Sequence, residues 1–544
     1  MSRGLQLDAI ITSLTLLGIV VISGVMGRSI AAQVPRPLVQ IAFGAVAGLV
    51  PQLQIALDPE VFFLLLVPPL LFIDGWHIPS DELVRDRWTI LHMAFGLVVA
   101  TVVAVGAFVV WLLPGLPTGA ALALAAALAP TDPIAVTSMA ERVPIPRRMM
   151  NLLQAESLLN DATGLICPSF AVAFLLTGSF SAVSASVSFL WVAGAGLGVG
   201  FGVTWVIVWA KNRIASWIGE DPGSQIVVSL LMPFVAYLAA VGLSASGLFA
   251  AVAAGVTMAR AEATGGVLGA TRIQRSAVWD SVQFIANGIV FVLLGEQLPT
   301  ILDEAQATIV QTGHHSLWWP LLLIVVIYGA MLALRLVWVW ASVALSRRTE
   351  GPQAMSFWRL IAATTLAGSR GAITFAGILT LPVALSAGMA FAERDLVILI
   401  AMGVIVLSLI TAAVSLPLLL PSAAAVSSQD GSGDRAARIA AATAALDEIA
   451  RIKAQHADDK AEVYSTAAAM ASRRYLQRIE TLDSQTEGEA SAQTDDRVLR
   501  ELQLAAVRAE RKSIFAMRRK QTISAAVARR LVRELDLLEA HLET

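Results

Sequence analysis

The run Glu156-Ser157-Leu158-Leu159-Asn160-Asp161 sets two acids and two uncharged polar groups in a segment otherwise apolar enough to cross a membrane. Charged side chains at that depth are costly and mark functional sites. At helical spacing Glu156 lies over Asn160 and Ser157 over Asp161, on adjacent stripes of one face, so all four can look into one cavity. That face reads as a cation or proton site. A carboxylate there, Asp161, can hold either one proton or one small monovalent cation. Oxygens from Ser157 and Thr131 would complete a hard-ligand shell for Na+. Asn160 adds amide dipoles without a second titratable charge. If the loaded site can turn to the other face and the bare carboxylate cannot, the result is electroneutral, one-for-one exchange of cation against proton.

Two further charges sit at helix breaks. Pro130-Thr131-Asp132-Pro133 interrupts an Ala/Leu-rich run, with Asp132-Pro133 reading as an N-cap followed by proline at the first helical position. Gly368-Ser369-Arg370-Gly371 interrupts a second run. Unwound backbone at membrane depth is tolerated only where protein buries it or it lines a cavity, and half-helix ends there present dipoles to ions or charged side chains. The acids near the site are Asp132, Glu156 and Asp161, and the bases are Arg335 and Arg370. An Asp in one break and an Arg in the other are natural partners, which leaves Glu156 for Arg335 by elimination. Glu156, Arg335, Asp132 and Arg370 are therefore expected as structural ion pairs. Asp161 remains for the chemistry.

These residues must be carried by membrane-spanning helices. The chain is 57% hydrophobic and 14% charged, with a mean hydropathy of +0.73, and apolar runs of about 20 residues recur from residue 8 to 420. Thirteen spans are expected, near 8–27, 36–51, 59–76, 88–112, 119–140, 151–178, 186–210, 224–242, 245–260, 276–297, 317–345, 357–381 and 393–420. The first has an acid in front and no cleavage-like small residues leading to a soluble domain, so it reads as a retained helix. Alternate loops differ sharply in charge. One set carries basic residues from Arg28 and Arg36 through Lys211 and Arg213 to Arg347 and Arg348, whereas the other holds little beyond Arg3 and Arg394. The positive-inside rule then puts the N-terminus outside and the C-terminus in the cytoplasm. The interrupted spans are the fifth and twelfth, the separation expected of a six-helix unit repeated in inverted topology with one helix between copies.

Past Pro421 the composition turns Ala-rich and charged, through the flexible-looking stretch Ser427-Ser428-Gln429-Asp430-Gly431-Ser432-Gly433. Residues 1–421 are expected to form the membrane domain and 422–544 a cytoplasmic, mostly helical tail. Within the tail, 435–455 and 497–543 favour helix. Arg511, Lys512, Arg518, Arg519 and Lys520 form either a solvated face or a contact to anionic headgroups.

Several motifs together resemble the NhaP and NHE type cation/proton antiporters over most of residues 8–420. They are Phe62-Phe63-Leu64 with Pro68-Pro69 and Asp74-Gly75, Pro130 to Val136, Glu156 to Gly164, Asn287-Gly288 with Leu294-Gly295, and Gly368 to Ala372. The resemblance implies a homodimer, a core domain moving against a dimerisation domain, and Asn160-Asp161 as the ion-site signature. It also implies the pairings of Asp132 with Arg370 and Glu156 with Arg335. Ser369 departs from the pattern, many relatives having a larger apolar residue there. The tail does not match the family's regulatory tails.

The expected substrates are Na+, with Li+ or K+ as rivals because ligand type alone does not set cavity size, and H+. Membrane lipid surrounds the protein, and neither a cofactor nor nucleic acid is expected. Asp280 and Asn287 share one face of the tenth span and either line a cytoplasmic funnel or make packing hydrogen bonds. Asp74 and Glu296 lie near span ends. His77, His92, His314 and His315 fall at loops or interfaces. Trp318, Trp319, Trp338 and Trp340 fit interfacial belts. Cys167, the one cysteine, cannot form an intrachain disulfide. A membrane hydrolase would need a Gly-x-Ser-x-Gly elbow or a histidine-rich metal set, and a cation channel would need no titratable alternating site.

Overall fold

Each expected span is occupied by a helix or, at the fifth and twelfth, by two half-helices. The computed structural model describes residues 2–29, 34–50, 59–77, 92–140, 145, 147–177, 181–218, 221–263, 269–311, 318–345, 356–382, 391, 393–420, 423–455, 461–484 and isolated positions between 504 and 535. The chain packs as two units, Met1–Val426 and Ser427–Thr544.

In the first unit the order is α1 (Ser2–Ser29), α2 (Arg36–Gly48), α3 (Pro59–His77), a π-turn (His92–Gly96) leading into α4 (Leu97–Leu112), then the half-helices α5 (Thr118–Leu128) and α6 (Ile134–Ala140). Next come α7 (Arg147–Thr177), α8 (Ala182–Ile218), α9 (Pro222–Gly242), α10 (Gly247–Ala263), α11 (Gly269–Gln311) and α12 (Trp318–Leu345). The half-helices α13 (Phe357–Leu366) and α14 (Ala372–Leu379) and the helix α15 (Arg394–Leu419) complete it. Six of the described helical segments are long and apolar enough to cross a membrane by length and composition alone. The protein is a multi-pass, all-helical membrane protein.

Lipid tails are as apolar as leucine, so the helices are held by close packing rather than by escape from water. The glycines show how. Gly44 and Gly48 of α2 lie against the backbone of Val292 and Glu296 of α11, and Gly295 of α11 lies against that of Ile41. Gly75 of α3 and Gly255 of α10 meet Val252 and Phe72 in the same way. Any Cβ at these positions would enter the facing backbone. Under the inverted repeat the second span corresponds to the ninth and the third to the tenth, so the α2/α11 and α10/α3 contacts are one contact seen twice. The same operation relates α5/α6 to α13/α14.

The burial of α15 is nearly all round, from Leu396 through Ile405, as suits a helix apolar on every side at the centre of a bundle. By contrast α8 exposes Trp191, Trp205, Trp209 and Trp217 and is peripheral. Of the tryptophans expected in belts, Trp318 and Trp340 are exposed, whereas the Trp338 indole donates to the His92 carbonyl at 3.2 Å. Asp280 is exposed and Asn287 half-buried. His314 and His315 lie outside the described residues.

Beyond α15 the chain forms the helices α16 (Ala423–Gln455) and α17 (Ala461–Ser484). This corrects the expectation of a flexible stretch at 427–433, because α16 runs through it. A glycine costs only about 1 kcal/mol in a helix, and the alanines on both sides carry the turn across. Most of 497–543, including Arg511, Lys512, Arg518, Arg519 and Lys520, lies outside the described residues.

Candidate functional site

The two breaks cross, and their backbones are joined. The Asp132 amide donates to the Ser369 carbonyl at 2.7 Å, and the Ser369 hydroxyl donates to the Asp132 carbonyl at 2.6 Å. Four half-helix ends meet here: α6 and α14 begin, α5 and α13 stop. The beginnings carry unsatisfied N–H groups and positive dipole ends, and the stops carry carbonyls and negative ends.

Asp132 serves the beginnings. Its Oδ1 accepts from the Ile134 amide at 2.8 Å, capping α6. Its Oδ2 lies against Gly371, the residue before α14, where a Cβ would otherwise sit. Arg370 serves the stops. Its Nε donates to the Leu128 carbonyl at 3.1 Å, and its guanidinium donates to the Gly368 carbonyl at 2.5 Å. The Arg370 amide is held by the Ser408 hydroxyl at 2.9 Å. The expected Asp132–Arg370 ion pair is not among the contacts of the described residues: the guanidinium bonds to carbonyls at the ends of α5 and α13. The physical reason is that the Asp132 carboxylate is engaged at the starts of α6 and α14, while the unsatisfied carbonyls at the ends of α5 and α13 need a buried donor.

Beside the crossing, α7 presents Glu156 and Asn160 on one face. Gly164 lets it approach the ring of Pro130 in the first break. Glu156 and Arg335 of α12 form a bidentate pair, 2.5 Å from Nη1 to Oε1 and 3.0 Å from Nη2 to Oε2. Their side chains are 0% and 1% exposed, so the pair is fully removed from solvent, where charge-assisted forks are strongest. The same guanidinium reaches the Thr364 carbonyl at 3.5 Å and packs against Gly368. Arg335 thus ties α7 to the end of α13.

From Glu156 the network continues to the first break. The Thr131 hydroxyl donates to Glu156 Oε1 at 3.0 Å and accepts from Asn160 Nδ2 at 2.9 Å. Thr131 hence gives up its proton and one lone pair, keeping one lone pair for another ligand. Asn160 Oδ1 is buried with no hydrogen-bond partner among the described residues. Ser157 is buried, 3% exposed. Asp161 continues the Ser157 stripe of α7 by its helical backbone, and its side chain lies outside the described ones.

Thr131, Glu156, Asn160 and Arg335 are thus brought into one network, with Asp132 and Arg370 in the crossing alongside. Spacing and residue type do not reveal the bonding role of Ser369, nor Ser408 and the carbonyls of Leu128, Gly368 and Thr364. Ser408 left a trace, one of three hydroxyls, with Thr411 and Ser415, inside the apolar run of α15; main-chain carbonyls leave none.

Interrupted helices crossing at mid-depth are the mark of secondary transporters, whose half-helix ends frame the transported ion. The chain is of that class. A family model described as the transmembrane sodium/hydrogen exchanger matches residues 13–421, and the chain belongs to that family of cation/proton antiporters, which are transporters rather than catalytic enzymes. It is 37% identical over 543 residues to an uncharacterized Na+/H+ exchanger of Escherichia coli, covering 98% of this chain and 99% of that one. It is 39% identical over 420 residues to a sodium, potassium, lithium and rubidium/H+ antiporter of Bacillus pumilus, covering 76% of this chain and 61% of that one. Among solved structures, the sodium proton antiporter MjNhaP1 of Methanocaldococcus jannaschii matches with a TM-score of 0.59 at 18% identity, over 76% of this chain and 98% of that one. At that identity the match speaks for the fold.

Proposed function

We propose that the protein exchanges Na+, and Li+ with it, for H+, one for one, with the Asp161 carboxylate binding either ion in competition. The observation that carries this reading is the charge-matched polar network that α7 and the first break form beside that position. Glu156 is matched by Arg335, and Asp132 is bonded to the start of α6, so in this reading the charge that changes on loading is assigned to Asp161. One proton or one monovalent cation cancels it, and a site that crosses only when neutral exchanges them without net charge. The Ser157 hydroxyl and the remaining Thr131 lone pair are the oxygens offered to the cation, and Asn160 orients beside them. Glu156 and Arg335 hold the frame.

K+/H+ exchange is the second reading, favoured by the potassium in the name of the Bacillus pumilus relative. The remaining assignments go with the first: a homodimer, thirteen crossings, the N-terminus outside, a membrane domain over 1–421 and a cytoplasmic regulatory or interaction tail over 422–544, in a bacterial inner membrane, serving pH homeostasis.

The test is purified protein in liposomes with acid inside and an internal pH dye. Alkalinisation on adding Na+, unaffected by a voltage clamp and lost in Asp161→Ala, is the expected result. A response to K+ instead moves the function to potassium exchange. No cation-driven proton movement, or an undiminished response in Asp161→Ala, overturns the reading.

A further inference from the structure

Ser369 brackets one residue of the opposite break from both sides. Its carbonyl accepts from the Asp132 amide at 2.7 Å, while its hydroxyl donates to the Asp132 carbonyl at 2.6 Å. Those two groups belong to successive peptide planes, Thr131–Asp132 and Asp132–Pro133, and each plane is rigid. Holding both fixes the backbone on either side of Asp132. Ser369 is itself wholly buried, 0% exposed, and its amide is tied to the Ala367 carbonyl at 2.9 Å, so the clasp has a fixed base.

What the clasp fixes is the origin of the Thr131 side chain. That hydroxyl has to meet Glu156 at 3.0 Å and Asn160 at 2.9 Å simultaneously. A small rotation of the Thr131–Asp132 plane would break one bond or the other and let the Asn160 amide turn. A shell of oxygens discriminates between cations by cavity size, ligand number and flexibility, so a shell hung on a pinned backbone discriminates more sharply than one on a loose one.

We infer that Ser369 is a positioning residue that sets cation affinity and selectivity: through its hydroxyl it pins the first break and so holds Thr131 and Asn160 in the ion site. The inference rests on the proposed exchange for its functional part and on the geometry of the crossing for its structural part. Arg370, the next residue, is held separately through Ser408, so losing the Ser369 hydroxyl leaves the arginine's own anchor in place.

The experiment compares Ser369→Thr with Ser369→Val, which match in shape and differ in the hydroxyl, and adds Ser369→Ala. In the liposome assay the half-saturating Na+ concentration is expected to be about 2- to 10-fold higher for Val than for Thr, the range one hydrogen bond spans. The maximal rate should change less, and the ratio of half-saturating K+ to Na+ should fall in Val and Ala while Thr keeps the wild-type ratio. Equal half-saturation and equal ratios in Thr and Val overturn the inference. Hydrogen exchange over residues 129–134 keeps the two proposals apart. If wild-type protein moves no protons in response to either cation, the functional reading fails, yet faster exchange in Val than in Thr still supports the clasp. Identical exchange in the two variants overturns the clasp whatever the transport result.

Discussion

The two breaks are the same device built twice, and they differ in sign. The first is made with prolines and carries Asp132; the second is made with glycines and carries Arg370. Each charged side chain serves both breaks, Asp132 reaching the starts of α6 and α14 and Arg370 the ends of α5 and α13. An inverted repeat brings four half-helix ends together, two of each sign, and one carboxylate with one guanidinium is the smallest set that answers all four. The difference teaches that opposite charges at membrane depth need not pair with each other. The main chain can be the partner of both.

The crossing stands beside a region where charges do pair, and removing a partner there should have the largest effect. Arg335→Ala leaves Glu156 buried with the Thr131 hydroxyl as its donor among the described residues, a loss of about 3–5 kcal/mol by analogy with other broken buried pairs. Thermal unfolding in detergent should show it, and Glu156→Gln added to Arg335→Ala should recover most of the stability. If the double variant is no more stable than Arg335→Ala, the pair is not what holds α7 to α12. Gly368→Ala is a milder version, since its methyl group would press on the Arg335 guanidinium.

At the crossing the expected effect is next in size and different in kind. Arg370→Gln strips donors from the Leu128 and Gly368 carbonyls, at about 1–3 kcal/mol for each one left unmatched. Asp132→Asn keeps an oxygen to cap Ile134 and loses only the charge, so its cost is smaller. The combination decides between pairing and capping. If each residue serves helix ends, the two losses add to within about 0.5 kcal/mol; a direct ion pair would leave a coupling energy well above that. Gly371→Ala should behave like Asp132→Asn and somewhat worse, because the new methyl group displaces Oδ2 from the start of α14.

How much of this was legible beforehand follows from where the information sits. The spans could be read because lipid demands long apolar helices, and the breaks because proline and glycine interrupt them at charged residues. The Glu156 to Asn160 face could be read because helical spacing is rigid. The partner of Arg370 could not, since the carbonyls of Leu128 and Gly368 belong to every residue type alike, and elimination among side chains overlooks them. The role of Ser369 was hidden for a related reason: its hydroxyl bonds to main chain 237 positions away. The helix through 427–433 was misjudged because glycine and serine lower helix propensity without forbidding it.

The smallest expected effect comes from a second aspartate cap, which isolates what membrane depth adds to the first. Asp221 accepts from the Ser224 amide at 2.8 Å at the start of α9, the same length as the Asp132 cap of α6, but in water. The Ser224 hydroxyl and amide together hold its carboxyl below the usual aspartate range. A carboxyl whose folded pKa is depressed stabilises the fold above its unfolded value, about 3.9, and that contribution disappears as pH falls through the folded value. Asp221→Ala should therefore lower the unfolding midpoint slightly at pH 7, and the difference from wild type should vanish in acid. Asp221→Asn should stay close to wild type throughout, because asparagine caps as well as aspartate and solvent already screens the lost charge. Asp132→Asn, with an equally good cap, should nevertheless fall measurably below wild type at pH 7. Equal behaviour of the two asparagine variants would mean that the Asp132 charge does nothing for the start of α14, and that the crossing is held by its hydrogen bonds alone.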